Sequence, residues 1–271
     1  MKAMRAWRAL ALLLLLAGGS AAAQTGRLLL TGSTTMAPLM VEVAKRFQRL
    51  HPGVQIEVRM GGSGRGIGDA RAGKADIGMV SRALGAEEGD LHGISIARDG
   101  VAVIVHKDNP VSVLSDRQLL DIYSGKIANW RQVGGGDTPL HALAGPPEGA
   151  SSELISQYLR LPYEQIKAQG RIGPNAERSA AVAADPQAII WISLGAAERE
   201  VRAGIPIKLL AVDGVAASSR NVRNGNYPMS RPLILVTRGT PTGVARAFIE
   251  FCVSSQATDM VVAFDFVPYL D

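Results

Sequence analysis

Leu28-Leu-Leu-Thr31-Gly-Ser-Thr-Thr-Met-Ala-Pro38 starts as an apolar strand-like run, breaks at a glycine followed by three hydroxyl residues, and continues into apolar side chains at Met36, Leu39, Met40, Val43, Phe47 and Leu50. The last spacing is one face of an amphipathic helix, with Thr34 or Thr35 as its expected N-cap and Pro52-Gly53 as its stop. Two further apolar stretches run into loops of the same kind, Gly61-Gly-Ser-Gly-Arg-Gly66 and Gly78-Met-Val-Ser-Arg82, and a helix is expected after the first. Backbone N–H groups at such junctions are unpaired and carry the positive end of the helix dipole. Three of these loops converging on one point would make a dry seat for a small anion.

Working outward, Val54, Ile56, Val58 and Met60 alternate with Gln55, Glu57 and Arg59, the pattern of a half-buried strand. A short helix is expected to about Ala72, then apolar strands at 77–80, 94–96 and 101–105. Asn109-Pro110 marks a change of segment, after which Leu114 to Tyr123 reads as a helix closed by Gly125. Further strands are expected at 140–144, 188–193, 207–212 and 233–236. Helices are expected over 151–161, with Leu154, Ile155, Tyr158 and Leu159 on one side, and from about Val244 onward, while 218–230 reads as a polar stretch. Strands alternating with helices indicate an α/β architecture, and no internal repeat interrupts it.

The compartment follows from the first residues. Lys2, Arg5 and Arg8 precede an unbroken apolar run from Ala9 to Ala17 and a small-residue stretch ending Ala21-Ala22-Ala23. This is the pattern of a secretory signal peptide over residues 1–23, and its apolar core is shorter than the ~20 residues a membrane span needs. Removing it lowers the formal net charge from +5 to +2, so no electrostatic footprint for nucleic acid remains. The single cysteine, Cys252, lies in the apolar helical pattern Val244, Phe248, Ile249 and is expected in a core. An intrachain disulfide is excluded, and no cysteine stands near the cleavage site to take a lipid. The mature chain is therefore expected free in the periplasm, without a lipid anchor.

Several chemistries fail on spacing. No register of residues 61–68 gives G-x-G-x-x-G, and no Gly-Lys-Ser/Thr follows for a phosphate loop. Ser63 lacks the second glycine of a G-x-S-x-G elbow because Arg65 stands there. His51, His92, His106 and His141 are scattered, with no pair at metal-ligand spacing. No cofactor, metal or catalytic residue is expected.

The motifs Thr31-Gly-Ser-Thr-Thr-Met-Ala-Pro38, Gly61-Gly-Ser-Gly-Arg-Gly-Ile67, Ala75-Asp-Ile-Gly-Met-Val-Ser-Arg82, Asp99-Gly-Val-Ala-Val-Ile-Val105, Ile122-Tyr-Ser-Gly-Lys-Ile-Ala-Asn-Trp130 and Tyr227-Pro-Met-Ser-Arg-Pro232 occur in that order. Together they resemble the phosphate-binding proteins of Pst-type ABC importers. The resemblance implies a type II two-lobed periplasmic-binding-protein fold, each lobe a mixed sheet flanked by helices, with the ligand cleft between them. It places lobe one at 24–106 plus 231–271 and lobe two at 107–230. Carried residue by residue, it implies anion contacts from Ser33, Thr34 and Thr35, from Ser63 and Gly64, from Ser81 with the charge of Arg82, and from Asp99. The partners it implies are phosphate or a related oxyanion and an inner-membrane ABC permease, with the chain a monomer. A carboxylate such as Asp99 repels an anion unless the ligand brings a proton, so in the site it would favour hydrogen phosphate over sulfate. Pairing with Arg98 or Arg82 is its alternative role.

The second lobe departs from the family. Its arginine followed four residues later by Ser-Gly-Thr is replaced by Pro146 and Ala150-Ser151-Ser152, and its Gly-Tyr pair by Ile190-Trp191. Ser151 and Ser152 remain as candidate donors, and Arg65, Arg178 and Arg220 as candidate substitute cations. One lost charge-assisted contact costs about 1.5 to 3 kcal/mol, roughly ten- to a hundredfold in affinity. Besides the anion receptor, two alternatives therefore stand: a diverged scaffold or sensory protein with weak or no phosphate binding, and a binder of a different anion. An enzyme is a further alternative without visible machinery.

Overall fold

The computed structural model describes residues 25–269, so the leader expected at 1–23 lies outside the described residues. Strand β1 (Thr25–Gly32) pairs in parallel with β2 (Gly53–Met60) on one side and β3 (Ile77–Val80) on the other. Helix α1 (Ala37–Leu50) makes the first crossover and α2 (Ser63–Arg71) the second. α1 buries Leu39, Met40, Val43 and Phe47, the stripe its spacing predicts. Its start differs from expectation. Neither Thr34 nor Thr35 caps it; the chain turns through 34–36 and the Met36 N–H donates to Ser33 Oγ at 3.2 Å. Pro38 in the first turn has no N–H to satisfy, which lessens the need for a threonine cap.

The two strands expected at 94–96 and 101–105 are one, β4 (His92–His106). Its first half pairs antiparallel with β11 (Ser230–Thr237) and its second half with β8 (Ala188–Ser193). Beyond β8 lie β6 (His141–Ala144) and β7 (Gly170–Arg171), both parallel. The expected strand at 207–212 is two short pieces, β9 (Ile207–Leu209) on β4 and β10 (Ala211–Val212) on β5 (Val113–Leu114). β12 (Val267–Pro268) closes on β4.

Most of the apolar interior falls into two large clusters. One holds Leu30, Met40, Phe47, Ile77, Leu235 and Phe248, and the other Val103, Trp130, Ile155, Trp191 and Tyr227. β4 runs from one to the other, Ala97 packing in the first and Val101 in the second. Cys252 is buried in the first, on α8 (Gly243–Cys252), and burial pushes its thiol well above the ordinary range, as an inert core residue requires. α9 (Ser255–Ala263) follows it. Helix α3 (Asp116–Tyr123) is capped by Ser115 and α4 (Ala150–Leu159) follows β6. Three helices stand where none is expected from the sequence: α5 (Asn175–Ala184), α6 (Leu194–Arg202) and the five-residue α7 (Ser219–Arg223) inside the polar stretch. α5 is Ala-rich with one large apolar residue, Val182, so it has propensity for a helix without a stripe to reveal it.

Candidate functional site

The hydroxyl loops lie at the C-terminal ends of β1, β2 and β3, where an open α/β sheet leaves a crevice. The Gly32 carbonyl accepts from both Gly61 N–H and Gly62 N–H at 2.9 Å, and Ser33 N–H donates to the Met79 carbonyl at 2.9 Å. A Cβ on Gly66 would lie 2.8 Å from the carbonyl oxygens of Met79 and Thr31, so glycine there lets α2 press against both neighbouring strands. Ser63 and Ser81 are brought together as a result. Ser63 Oγ accepts from Ser81 N–H at 3.1 Å and stands 3.4 Å from Ser81 Oγ.

Facing residues come from the first turn of α4. Ser151 and Ser152 are both buried there. Ser151 Oγ accepts from Arg178 Nη1 at 3.1 Å, and Ser152 Oγ from the Trp191 indole N–H at 3.3 Å. A hydroxyl that already accepts keeps its own proton to donate. Ser33, Ser63, Ser151 and Ser152 all accept from an internal N–H, which leaves the hydroxyl proton of each outside that bond.

Arg231, within the Tyr227–Pro232 motif but outside the expected site set, ties the two groups of residues. Its register on β11 is opposite Asp99 of β4, and Nε lies 3.1 Å from Asp99 Oδ2. Nη2 reaches Thr35 Oγ1 at 3.3 Å and the Ala150 carbonyl at 3.2 Å, while Nη1 stands 3.1 Å from Glu153 Oε2 without hydrogen-bond alignment. Thr35 Oγ1 donates in turn to Glu153 Oε2 at 3.3 Å. Asp99 therefore pairs with Arg231 and not with Arg98 or Arg82. Alternation along β4 turns Arg98 to the opposite face of the sheet. Burial pushes the Asp99 carboxyl above its ordinary range, against the opposing pull of Arg231.

Arg82 does not stand free beside the hydroxyls. Its guanidinium grips Glu88 with two hydrogen bonds, Nη1 to Oε2 at 2.8 Å and Nη2 to Oε1 at 2.7 Å, and Glu88 also accepts from Gly85 N–H. The Arg82 guanidinium holds the buried Glu88 carboxyl down from 4.5 to about 2. A depressed carboxyl contributes stability above its unfolded value and loses it as pH falls toward the folded one. Glu88→Gln is thus expected to cost about 1 kcal/mol at neutral pH, the half-exposed arginine limiting the gain, and to flatten the loss of stability between pH 4.5 and about 2. Urea midpoints across that range check it. Thr34 and Gly64 are exposed in the same loops and have no side-chain partner.

Of the cations named as substitutes, Arg65 pairs with Asp69 on α2. Arg178 alone lies under the second set of hydroxyls. Among the described residues no group of three or more histidine, cysteine or carboxylate side chains comes together to hold a metal ion. No helix of the described residues is long and apolar enough to cross a membrane.

Residues 19–256 match a family model described as a PBP superfamily domain. The chain is 27% identical over 242 residues to the phosphate-binding protein PstS of Bacillus subtilis, across 88% of this chain and 79% of that one. A 110-residue stretch, 40% of this chain and 38% of the relative, is 41% identical to phosphate-binding protein PstS 2 of Streptococcus pneumoniae. Among solved structures, an ABC-type phosphate transport receptor from Vibrio cholerae superposes with a TM-score of 0.78 at 26% identity, over 89% of this chain and 99% of that one. A Clostridium perfringens protein solved with bound phosphate superposes at 0.61 with 31% identity, over 90% and 99%. Taken with the two-core sheet and the loops at its strand ends, these likenesses establish that the chain belongs to the PBP superfamily, among the relatives of the PstS receptors.

Proposed function

We propose that this chain is an exported receptor that captures phosphate, or an oxyanion of the same shape and protonation, between two lobes and hands it to an ABC permease. The observation that carries the reading is the donor arrangement. Ser33 and Ser63 in one group, and Ser151 and Ser152 in the other, each use their oxygen to accept inside the protein and keep a proton for a ligand rich in acceptors. The lobes of this reading are 24–106 with 231–271 and 107–230. The division of the apolar interior supports two lobes with an earlier crossing, within Ala97–Val101 of β4, since Val101 to Val105 pack in the second cluster. Residues 1–23 serve as the export signal, and the mature monomer is free in the periplasm.

Binding and not catalysis is the activity proposed, in keeping with the names of its relatives. The direct contacts are Ser33, Thr34, Thr35, Ser63, Gly64, Ser81, Ser151 and Ser152. In its ionised form, which the Arg231 guanidinium favours against burial, Asp99 discriminates by accepting the ligand's proton. Arg82 stabilises its own loop through Glu88 rather than meeting the anion. Calorimetry on ligand-stripped protein tests this: heat is expected with phosphate and arsenate and none with sulfate or molybdate. Heat with sulfate alone would reassign the ligand, and no heat with any of the four would leave a scaffold. That second reading is favoured by Glu153, whose carboxylate stands between Thr35 and Arg231 where it repels an anion.

A further inference from the structure

Four charged side chains are buried among the described residues: Glu88, Asp99, Arg178 and Arg231. Glu88 is held by Arg82, and Asp99 and Arg231 hold each other. Arg178, on α5 and 4% exposed, faces no carboxylate. Its Nε donates to the carbonyls of Ile172 and Gly173, and its Nη1 to Trp191 O and Ser151 Oγ, all neutral acceptors. Burial lowers the affinity of its guanidinium for its proton, with Tyr163 acting in the opposite direction. A buried cation without a counter-charge costs several kcal/mol, which a structural role could avoid with a neutral donor.

Its position gives the reason. A Cβ on Gly145 would lie 2.7 Å from the Arg178 Cζ, so the backbone of the loop leading into α4 lies directly against the guanidinium. The next residue is Pro146, where the resembled family carries its arginine. Pro146 and Arg178 are thus neighbours through Gly145, and the charge missing from the loop stands immediately behind it on another helix.

We propose that Arg178 supplies the second lobe's positive charge for the bound anion, holding Ser151 Oγ as a proton donor at the start of α4 and adding its field to that of the helix. It is a positioning residue, since Ser151 lies between it and the ligand. The inference rests on the receptor reading above and deepens it: the doubly charged form of the oxyanion is the form this site selects, because an uncompensated cation gains most from it.

The test is phosphate calorimetry at several pH values spanning the second ionisation of phosphate, on wild type, Arg178→Gln, Arg178→Lys and the double variant P146R/R178Q. Wild type is expected to bind more tightly as the dianion forms. Arg178→Gln is expected to lose ten- to a hundredfold in affinity and to flatten that pH profile. Arg178→Lys keeps the profile, and P146R/R178Q recovers at least tenfold, which a merely structural role for Arg178 would not produce. An Arg178→Gln protein that folds, binds within threefold of wild type and keeps the profile overturns the inference. Should that variant not fold, nitrogen NMR of wild type decides: the guanidinium signal missing from the Arg178→Lys spectrum shifts on phosphate saturation, and a stationary signal overturns the proposal. Wild type showing no heat with any oxyanion would overturn the receptor reading itself, an outcome distinct from either.

Discussion

Gly32→Ala is expected to lower the melting temperature by about 8–16 °C and to abolish anion binding, although it adds one methyl group. The position has φ +129°, which side-chain-bearing residues rarely adopt, and an added Cβ would lie 2.3 Å from the Met79 carbonyl and 2.9 Å from the Gly66 Cα. Both neighbours are backbone, so neither can swing away. Strain of about 1–3 kcal/mol from the dihedral adds to about 1–3 kcal/mol of overpacking, for a net loss near 4 kcal/mol. The carbonyl of the same residue ties the second loop through Gly61 and Gly62, so displacement of Gly32 separates the hydroxyls of Ser33 and Ser63. Gly64→Ala is the control. It meets nothing within 4 Å on a helix, and it should leave stability unchanged or raised by up to about 1 kcal/mol. Thermal melts of the two variants decide whether close approach of the loops, and not glycine content as such, is what the site needs.

Arg231→Met is the second large effect. It strands Asp99, 2% exposed, without its partner, and breaking a buried pair by removing one member costs about 3–5 kcal/mol. Asp99 already leans toward its neutral form, so it takes up a proton in the variant and the cost falls at the lower end, about 3 kcal/mol at neutral pH. The sign follows. The penalty shrinks as pH is lowered, because the protonated carboxyl no longer needs the guanidinium, and D99N in the same chain should restore most of the loss. Urea unfolding of the single and double variants at pH 7 and pH 5 measures both statements. Affinity for phosphate should fall ten- to a hundredfold in either, because the link from Thr35 to Ala150 through the guanidinium is cut in both.

Much of this was legible in the sequence, and what was not has identifiable causes. The stripe from Leu39 to Phe47 and the alternation at 54–60 follow from period alone, and the structure forms α1 and β2 there. The glycine loops announced a meeting point because glycine followed by hydroxyls after a strand has few other uses. A continuous β4 was harder to see, since Arg98, Asp99 and Gly100 look like a break between apolar runs. In the fold that segment is a strand interior because its backbone pairs with Ser230 to Pro232 of β11, which sets Asp99 opposite Arg231. The pairing of Arg82 is hidden for a similar reason: the acid that grips it, Glu88, is six residues away and becomes adjacent through the short turn at 86–88. Arg178 was visible as a cation but had no position, because the helix that carries it shows no apolar stripe. Its partners, Ser151 and the Trp191 carbonyl, lie 27 and 13 residues away in the chain.

The central claim is that hydroxyls from both groups, tied by Arg231, surround a single oxyanion. A crystal of the ligand-stripped chain soaked in arsenate tests it most directly, because arsenic scatters anomalously and marks its own position. The account predicts one strong peak within hydrogen-bonding distance of the Ser63 and Ser151 hydroxyls together. A peak elsewhere on the surface, with Arg231 and Glu153 still joined between the lobes while calorimetry records tight binding, would contradict it.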